Sequence, residues 1–153
     1  MAELIVVLHD VSSAQRLIDA ARLVYGLDVG YFLVTKAYGS AASSGVPEVN
    51  RLALRLGKGF AVLSSLRDAV ELLSPKTVFV VSYEYGEPME PAEIAEELRK
   101  AEKPAMIVFG GIDAAPGKDA VSIGKPVYIR GASTRLGPVA EAALILYSYA
   151  RAR

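Results

Sequence analysis

Short apolar runs rich in β-branched residues recur along this chain, each followed by a segment with helical spacing. That alternation limits the fold more than any other feature. Residues 4–8, 29–34, 60–63, 77–81, 105–109 and 127–129 read as strands. Ser12 or Ser13 caps a helix to about Tyr25, with Leu17, Ile18, Ala21 and Val24 on one face and Gly26 as its stop. A second helix spans residues 47–56 and ends at Gly57, and a weak capping box at Ser65 opens a third to Leu73. Pro91 begins an acidic helix to about Glu102, and Pro138 begins the last, to about Ala150. This order predicts an α/β fold, a mainly parallel sheet with helices on both faces. The strongly β-prone run 77–81 is expected at the sheet centre. The chain has 153 residues, 52% of them hydrophobic, and no linker, repeat or low-complexity tract, so residues 1–153 are expected to form one domain.

Composition excludes several chemistries. Lys plus Arg (17) equals Asp plus Glu (17), so any nucleic-acid partner must be met by a local patch and not by a global field. With no cysteine there are no disulfides, thiolates or cysteine-bound zinc. His9 is the only histidine, which rules out a multi-histidine metal site. No acidic cluster has metal-ligand spacing, and no Gly-x-x-x-x-Gly-Lys loop is present. Both observations count against a nuclease or other phosphate-handling enzyme, and no metal is expected. The first strand ends His9-Asp10-Val11-Ser12-Ser13 without G-x-G-x-x-G, which counts against a Rossmann dehydrogenase. No apolar run approaches the roughly 20 residues that span a bilayer, and residues 1–8 do not have the form of a signal peptide. A soluble, cytoplasmic protein with no membrane partner is expected.

Two glycine-bearing loops follow strands late in the chain. Gly110, Gly111 and Asp113 lie in the first, directly after the apolar run 105–109. Ile129, Leu136 and Gly137 bound the second, which enters the last helix. Glycines at the carboxyl ends of parallel strands let main chain approach a ligand or adopt positive φ; equally, they form a plain strand-to-loop turn. Asp113 either caps its turn or faces a ligand, where it would favour a cation. Tyr83 and Tyr85 share a side if their segment is extended, either stacking on a base or lidding the core. Arg16, Arg22, Arg130 and Arg135 read as solvated residues or as a patch for phosphates. His9, at a strand end, is either a base or a hydrogen-bonded structural residue.

The helix at 13–26 followed by Leu27-Asp28, the loop Phe109-Gly110-Gly111-Ile112-Asp113, and Val127-Tyr128-Ile129 leading to a helix ending Ile145-Leu146-Tyr147 resemble the SPOUT superfamily. Within it the SpoU/TrmH RNA methyltransferases are the most similar group, here in a single-domain form, and the resemblance covers residues 4–149. It implies a carboxyl-terminal trefoil knot, a homodimer, and S-adenosylmethionine held by three loops at 82–86, 110–117 and 129–137. Ser82, Gly110, Gly111, Asp113, Ile129, Leu136 and Gly137 are the cofactor-binding positions that follow from it. The implied activity is methylation of a ribose 2′-hydroxyl of transfer or ribosomal RNA, with Arg16, Arg135 or His9 as the catalytic group. The family's early Asn falls at Val11 or Ser12 and its helix Arg at Ala20, with Arg16 one turn earlier. Those departures favour an alternative, a non-catalytic dimer binding the cofactor, a nucleotide or RNA on the same scaffold.

Overall fold

Alternate faces of the strands build the cores on the two sides of one sheet. A computed structural model describes residues 4–111 and 118–152. Strand β1 (Leu4–Val11) turns Leu4, Val6 and Leu8 to one side and Ile5 and Val7 to the other. Helix α1 (Ala14–Gly26) starts where Ser13 Oγ accepts the Arg16 N–H at 3.1 Å. It buries Leu17, Ala20, Ala21 and Val24 at the spacing of a single helical face. Strand β2 (Tyr31–Ala37), a π-helical turn (Ala41–Gly45), α2 (Val46–Leu56), β3 (Gly59–Leu63) and α3 (Leu66–Leu73) follow. Next come β4 (Thr77–Val81), β5 (Glu87–Met89) and α4 (Pro91–Lys100), which opens on a capping box between Glu90 and Glu93. The described chain ends with β6 (Ala105–Gly110), α5 (Lys118–Val121), β7 (Lys125–Ile129) and α6 (Pro138–Arg151).

All seven strands pair in parallel, in the order β3-β2-β1-β6-β4-β7-β5. Parallel neighbours need crossovers, and the helices provide them on both faces, as the alternation predicts. Leu4, Val6, Leu8, Ile107 and Phe109 pack with residues of α1, α2, α4 and α6, whereas Ile5, Val7, Met106 and Val108 pack with α3 and α5. Val7 and Val108 are fully buried, each contributing about 1.5–3 kcal/mol of apolar burial.

The structure corrects several local expectations. The sheet centre is β6 and not β4, because β6 is the fourth of the seven strands, with β1 on one side and β4 on the other. Residues 87–89 form an edge strand too short and too proline-bearing for alternation to reveal. The segment between β2 and α2 carries the π-turn Ala41–Gly45, packed so closely on α1 that a Cβ at Gly45 would lie 3.1 Å from the Ala14 Cα. Strand order does not specify chain threading, so the trefoil knot remains what the resemblance implies.

The chain adds β2 and β3 on one side of β1, then crosses beyond β6 to begin β4. Register places His9 beside Gly110 and Val81 beside Val127, so His9, Gly110–Gly111, Ser82 and Arg130 all end at one crown. Crowns at such reversals are where open α/β sheets bind ligands.

Candidate functional site at the sheet crown

One corner of the crown is built around the end of β6. Gly111 donates its N–H to the His9 carbonyl oxygen at 2.7 Å, and a Cβ there would meet Val11 Cβ at 2.8 Å and Asp10 O at 3.0 Å. Gly111 is therefore a glycine because two strand ends approach closely. Arg16 Nη1 donates to the Gly111 carbonyl oxygen at 2.9 Å, tying α1 to the same loop. Asp113 lies outside the described residues. His9 Nδ1 and Thr35 Oγ1 are 2.7 Å apart, and Thr35 is fully buried. Burial lowers the His9 pKa below its ordinary value; Asp10 opposes that effect and Lys36 adds to it. Asp10 and Lys36 both have left-handed φ, 66° and 56°, and their side chains pair at 3.5 Å.

The other corner is a clasp between the loop after β4 and the loop after β7. Ser82 is buried and bonds Val127 O through its N–H at 2.8 Å, while its hydroxyl accepts the Tyr85 N–H at 3.3 Å. Residues 83–85 form a turn, so strand alternation does not apply to Tyr83 and Tyr85. The Tyr83 hydroxyl donates to Ser133 O at 2.9 Å with its ring edge-on to Tyr128, while Tyr85 is exposed. Arg135 Nε stands 3.6 Å from Glu84 Oε1. Positive φ occurs at Gly131 (97°) and Gly137 (93°), and a Cβ at either would meet nothing within 4 Å. Main chain at those two glycines faces open space, the surroundings a nucleoside-sized ligand requires.

Glu141, in the first turn of α6, was not singled out by sequence reasoning. It is only 9% exposed and accepts a hydrogen bond from the Leu136 backbone. Burial pushes its pKa up to about 7; the Leu136 bond and Arg135 pull it down, and Glu84 raises it. A carboxyl on a helix that starts at Pro138 reads in sequence as a solvated first-turn acid, so no signal marked it. A groove of about 590 Å³ joins the corners, lined by Arg16 and Asp19 of α1 and by Leu136, Gly137 and Pro138. The arginines do not form a bare patch: Arg130 reaches Pro88 O and Glu90, and Arg22 borders a hollow with Glu48 and Arg55. Among the described residues no three His, Asp or Glu side chains form a group that could hold a metal.

Comparison with known proteins gives a family and a fold that differ in name. The profile of a family described as RecB-family nuclease (DUF2122) matches residues 39–148. The chain belongs to this family. A relative from Aeropyrum pernix, named as a candidate type II restriction enzyme, is 48% identical over 95% of this chain and 91% of its own length. A relative from Methanocaldococcus jannaschii, named likewise, is 29% identical over 99% of each chain. Among solved structures, TrmJ from Z. mobilis superposes with a TM-score of 0.76 at 15% identity, over 97% of this chain and 69% of that one. The A. aeolicus TrmH/SpoU tRNA modifying enzyme gives 0.70 at 16% identity, over 99% and 75%. The SpoU methyltransferase AviRb from Streptomyces viridochromogenes, solved with AdoMet, gives 0.74 at 15% identity, over 100% and 62%. The chain thus has the SPOUT fold, as its resemblance implied.

The functional expectation is corrected. Family membership and the relatives' names point to a nuclease, which overturns RNA methyl transfer and its non-catalytic alternative. The missing metal-ligand spacing and the missing Gly-x-x-x-x-Gly-Lys loop do not decide membership of this family, which the sequence match shows. No helix among the described residues is long and apolar enough to cross a membrane.

Proposed function

We propose that this chain is a nucleic-acid-processing protein of the nuclease family, holding a phosphodiester backbone in the groove between its two crown corners. The observation that carries this reading is that Arg16 of α1 and the Leu136–Pro138 segment line one groove, with Arg135 next to it. The Arg16 guanidinium in the groove suits a phosphate, because it offers paired donors to phosphate oxygens, and Arg135 directly precedes the lining residue Leu136. His9, kept neutral by burial and oriented through Thr35, is the group suited to accept a proton at the β6 corner. RNA is the first ligand to test and DNA the second.

The experiment is fluorescence anisotropy with single- and double-stranded RNA and DNA at two salt concentrations, beside a cleavage gel with magnesium or EDTA. Binding weakened by salt and by Arg16→Ala and Arg135→Ala is expected. A chain that neither binds nor cuts any of the four would end the proposal.

Two further parts of this reading come from the fold. A homodimer is proposed through the apolar groove of about 580 Å³ lined by Leu23, Leu27, Pro91, Leu144 and Tyr147, since Leu144 and Tyr147 are 45% and 57% exposed. Sedimentation should report two chains, and Leu144→Glu should leave one. S-adenosylmethionine is proposed as a ligand of the crown loops that carry Ser82, Gly110, Gly111, Ile129, Leu136 and Gly137, where the open faces of Gly131 and Gly137 leave main chain accessible. Calorimetric titration against ATP tests it, and absence of heat with the sulfonium nucleotide would remove it.

A further inference from the structure

Helices α1 and α2 bound a second hollow, of about 220 Å³, separate from the groove. Helix α1 turns Arg16 and Asp19 to the groove and Ile18 and Arg22, one turn apart, to this hollow. Helix α2 supplies Glu48, Leu52 and Arg55, which fall at the spacing of one helical face, together with the buried Val49. Among the described residues Glu48 is the one carboxylate in that lining, and it is already engaged. Arg51 Nε and Nη2 both donate to its Oε2, at 3.3 and 2.8 Å. No hydrogen bond or ion pair among the described residues holds Arg22 or Arg55. The guanidinium groups of Arg22, Arg51 and Arg55 thus meet a single carboxylate, on a chain whose formal net charge is zero. Like charges gathered at one hollow repel each other, and an anion placed between them removes that cost.

We propose that Arg22 and Arg55 form a second phosphate seat, which takes a backbone phosphate of the same nucleic acid that passes Arg16 in the groove. The inference rests on the nucleic-acid reading above and extends it to the other side of α1. Two guanidinium groups from different helices offer planar, paired donors to the oxygens of one phosphate. The hollow is smaller than the roughly 300–1,000 Å³ that encloses a whole small-molecule ligand, so it suits a phosphate group and not an entire nucleotide. Arg22 follows Arg16 by six positions of α1, about 9 Å along the helix axis, so one strand crossing that helix meets both. The local excess of arginine is the patch that a chain without a global basic field needs.

The test measures anisotropy of a single-stranded RNA oligonucleotide across a salt series, and calorimetry with inorganic phosphate. The proteins are wild type, Arg22→Ala, Arg55→Ala, the double variant, Glu48→Gln and Arg67→Ala. Each single alanine should weaken RNA binding about fivefold to tenfold. The double variant should flatten the slope of log affinity against log salt by about 0.7, one single-strand phosphate contact. Arg67, exposed on α3 beneath the opposite face of the sheet, should leave both quantities unchanged; an equal loss there would reduce the effect to bulk charge and overturn the seat. Should the double variant misfold by circular dichroism, Glu48→Gln decides separately. Removing that carboxylate should raise affinity about twofold to fivefold, and no rise would overturn the seat. If RNA binds with the same affinity and slope in the double variant, the seat is wrong and the nucleic-acid reading stands. If wild type binds phosphate but no RNA, and the double variant binds neither, the nucleic-acid reading falls and a small-anion site at Arg22 and Arg55 stands. If wild type binds neither probe, both are overturned.

Discussion

Replacing Glu141 with Gln should stabilise the fold, and by an amount that depends on pH. The carboxyl has its pKa raised by burial from 4.5 to about 7, so the native state holds a proton that the unfolded chain releases earlier. The sign follows from proton counting: stability is fully present below the unfolded value and is lost as pH rises through the native one. At about 1.4 kcal/mol per tenfold change in acidity, with some solvent contact retained, the ionised native form is penalised by about 2–3 kcal/mol. Glutamine has no such penalty and keeps an acceptor for the Leu136 N–H. Thermal melts of both proteins between about pH 4.5 and pH 8 should coincide at the acid end and diverge by roughly 5–10 °C at the alkaline end, taking about 2–4 °C per kcal/mol for a domain of this size. A constant gap across the range would refute the reasoning, because a packing effect does not titrate.

Four further outcomes follow from local geometry. A Cβ at Gly86 would lie 2.5 Å from Ser82 O, and one at Gly124 would lie 2.5 Å from Val78 O, so alanine at either should cost about 3 kcal/mol in urea unfolding. Gly57, at φ 68° with nothing near its missing Cβ, should tolerate alanine at about 1 kcal/mol. The Tyr25 hydroxyl donates to Gly59 O at 2.8 Å and burial pushes its pKa up to about 12; Tyr25→Phe should lower stability by about 1–2 kcal/mol by leaving that oxygen unpaired. Ser74 closes α3 with φ 46° and ψ 55°, so Ser74→Gly should raise stability by about 0.5–1 kcal/mol in the same assay.

Sequence periodicity was sufficient for the layers and not for the pocket. Leu4, Val6 and Leu8 against Ile5 and Val7 is a pattern that only a sheet covered on both faces can satisfy, so fold class was legible in one strand. Ser13, Gly57 and Pro91 marked helix ends because each solves a local backbone problem wherever it occurs. The extent of β2 to Ala37 was hidden because Lys36 interrupts its pattern with a left-handed φ. In the crown, Gly111 stood out for a property it has, closeness to another strand, and the sequence could not say which neighbour required it. Glu141 was invisible because its chemistry comes from what covers it, the loop ending at Leu136. No residue spacing in the chain marks the nuclease family, so that membership was not legible from pattern.

The position of β6 has a consequence for how the protein is made. Strand β1 bonds to β2 early in the sequence, but its other edge waits for residues 105–110. A nascent chain that has emerged only through α4 therefore exposes one unpaired strand rim, apolar from Leu4 to Leu8, with Ile5 and Val7 uncovered by their later partners. Such a rim invites sideways addition of another extended segment. Stalled or truncated products of this chain should consequently aggregate more readily than the finished fold.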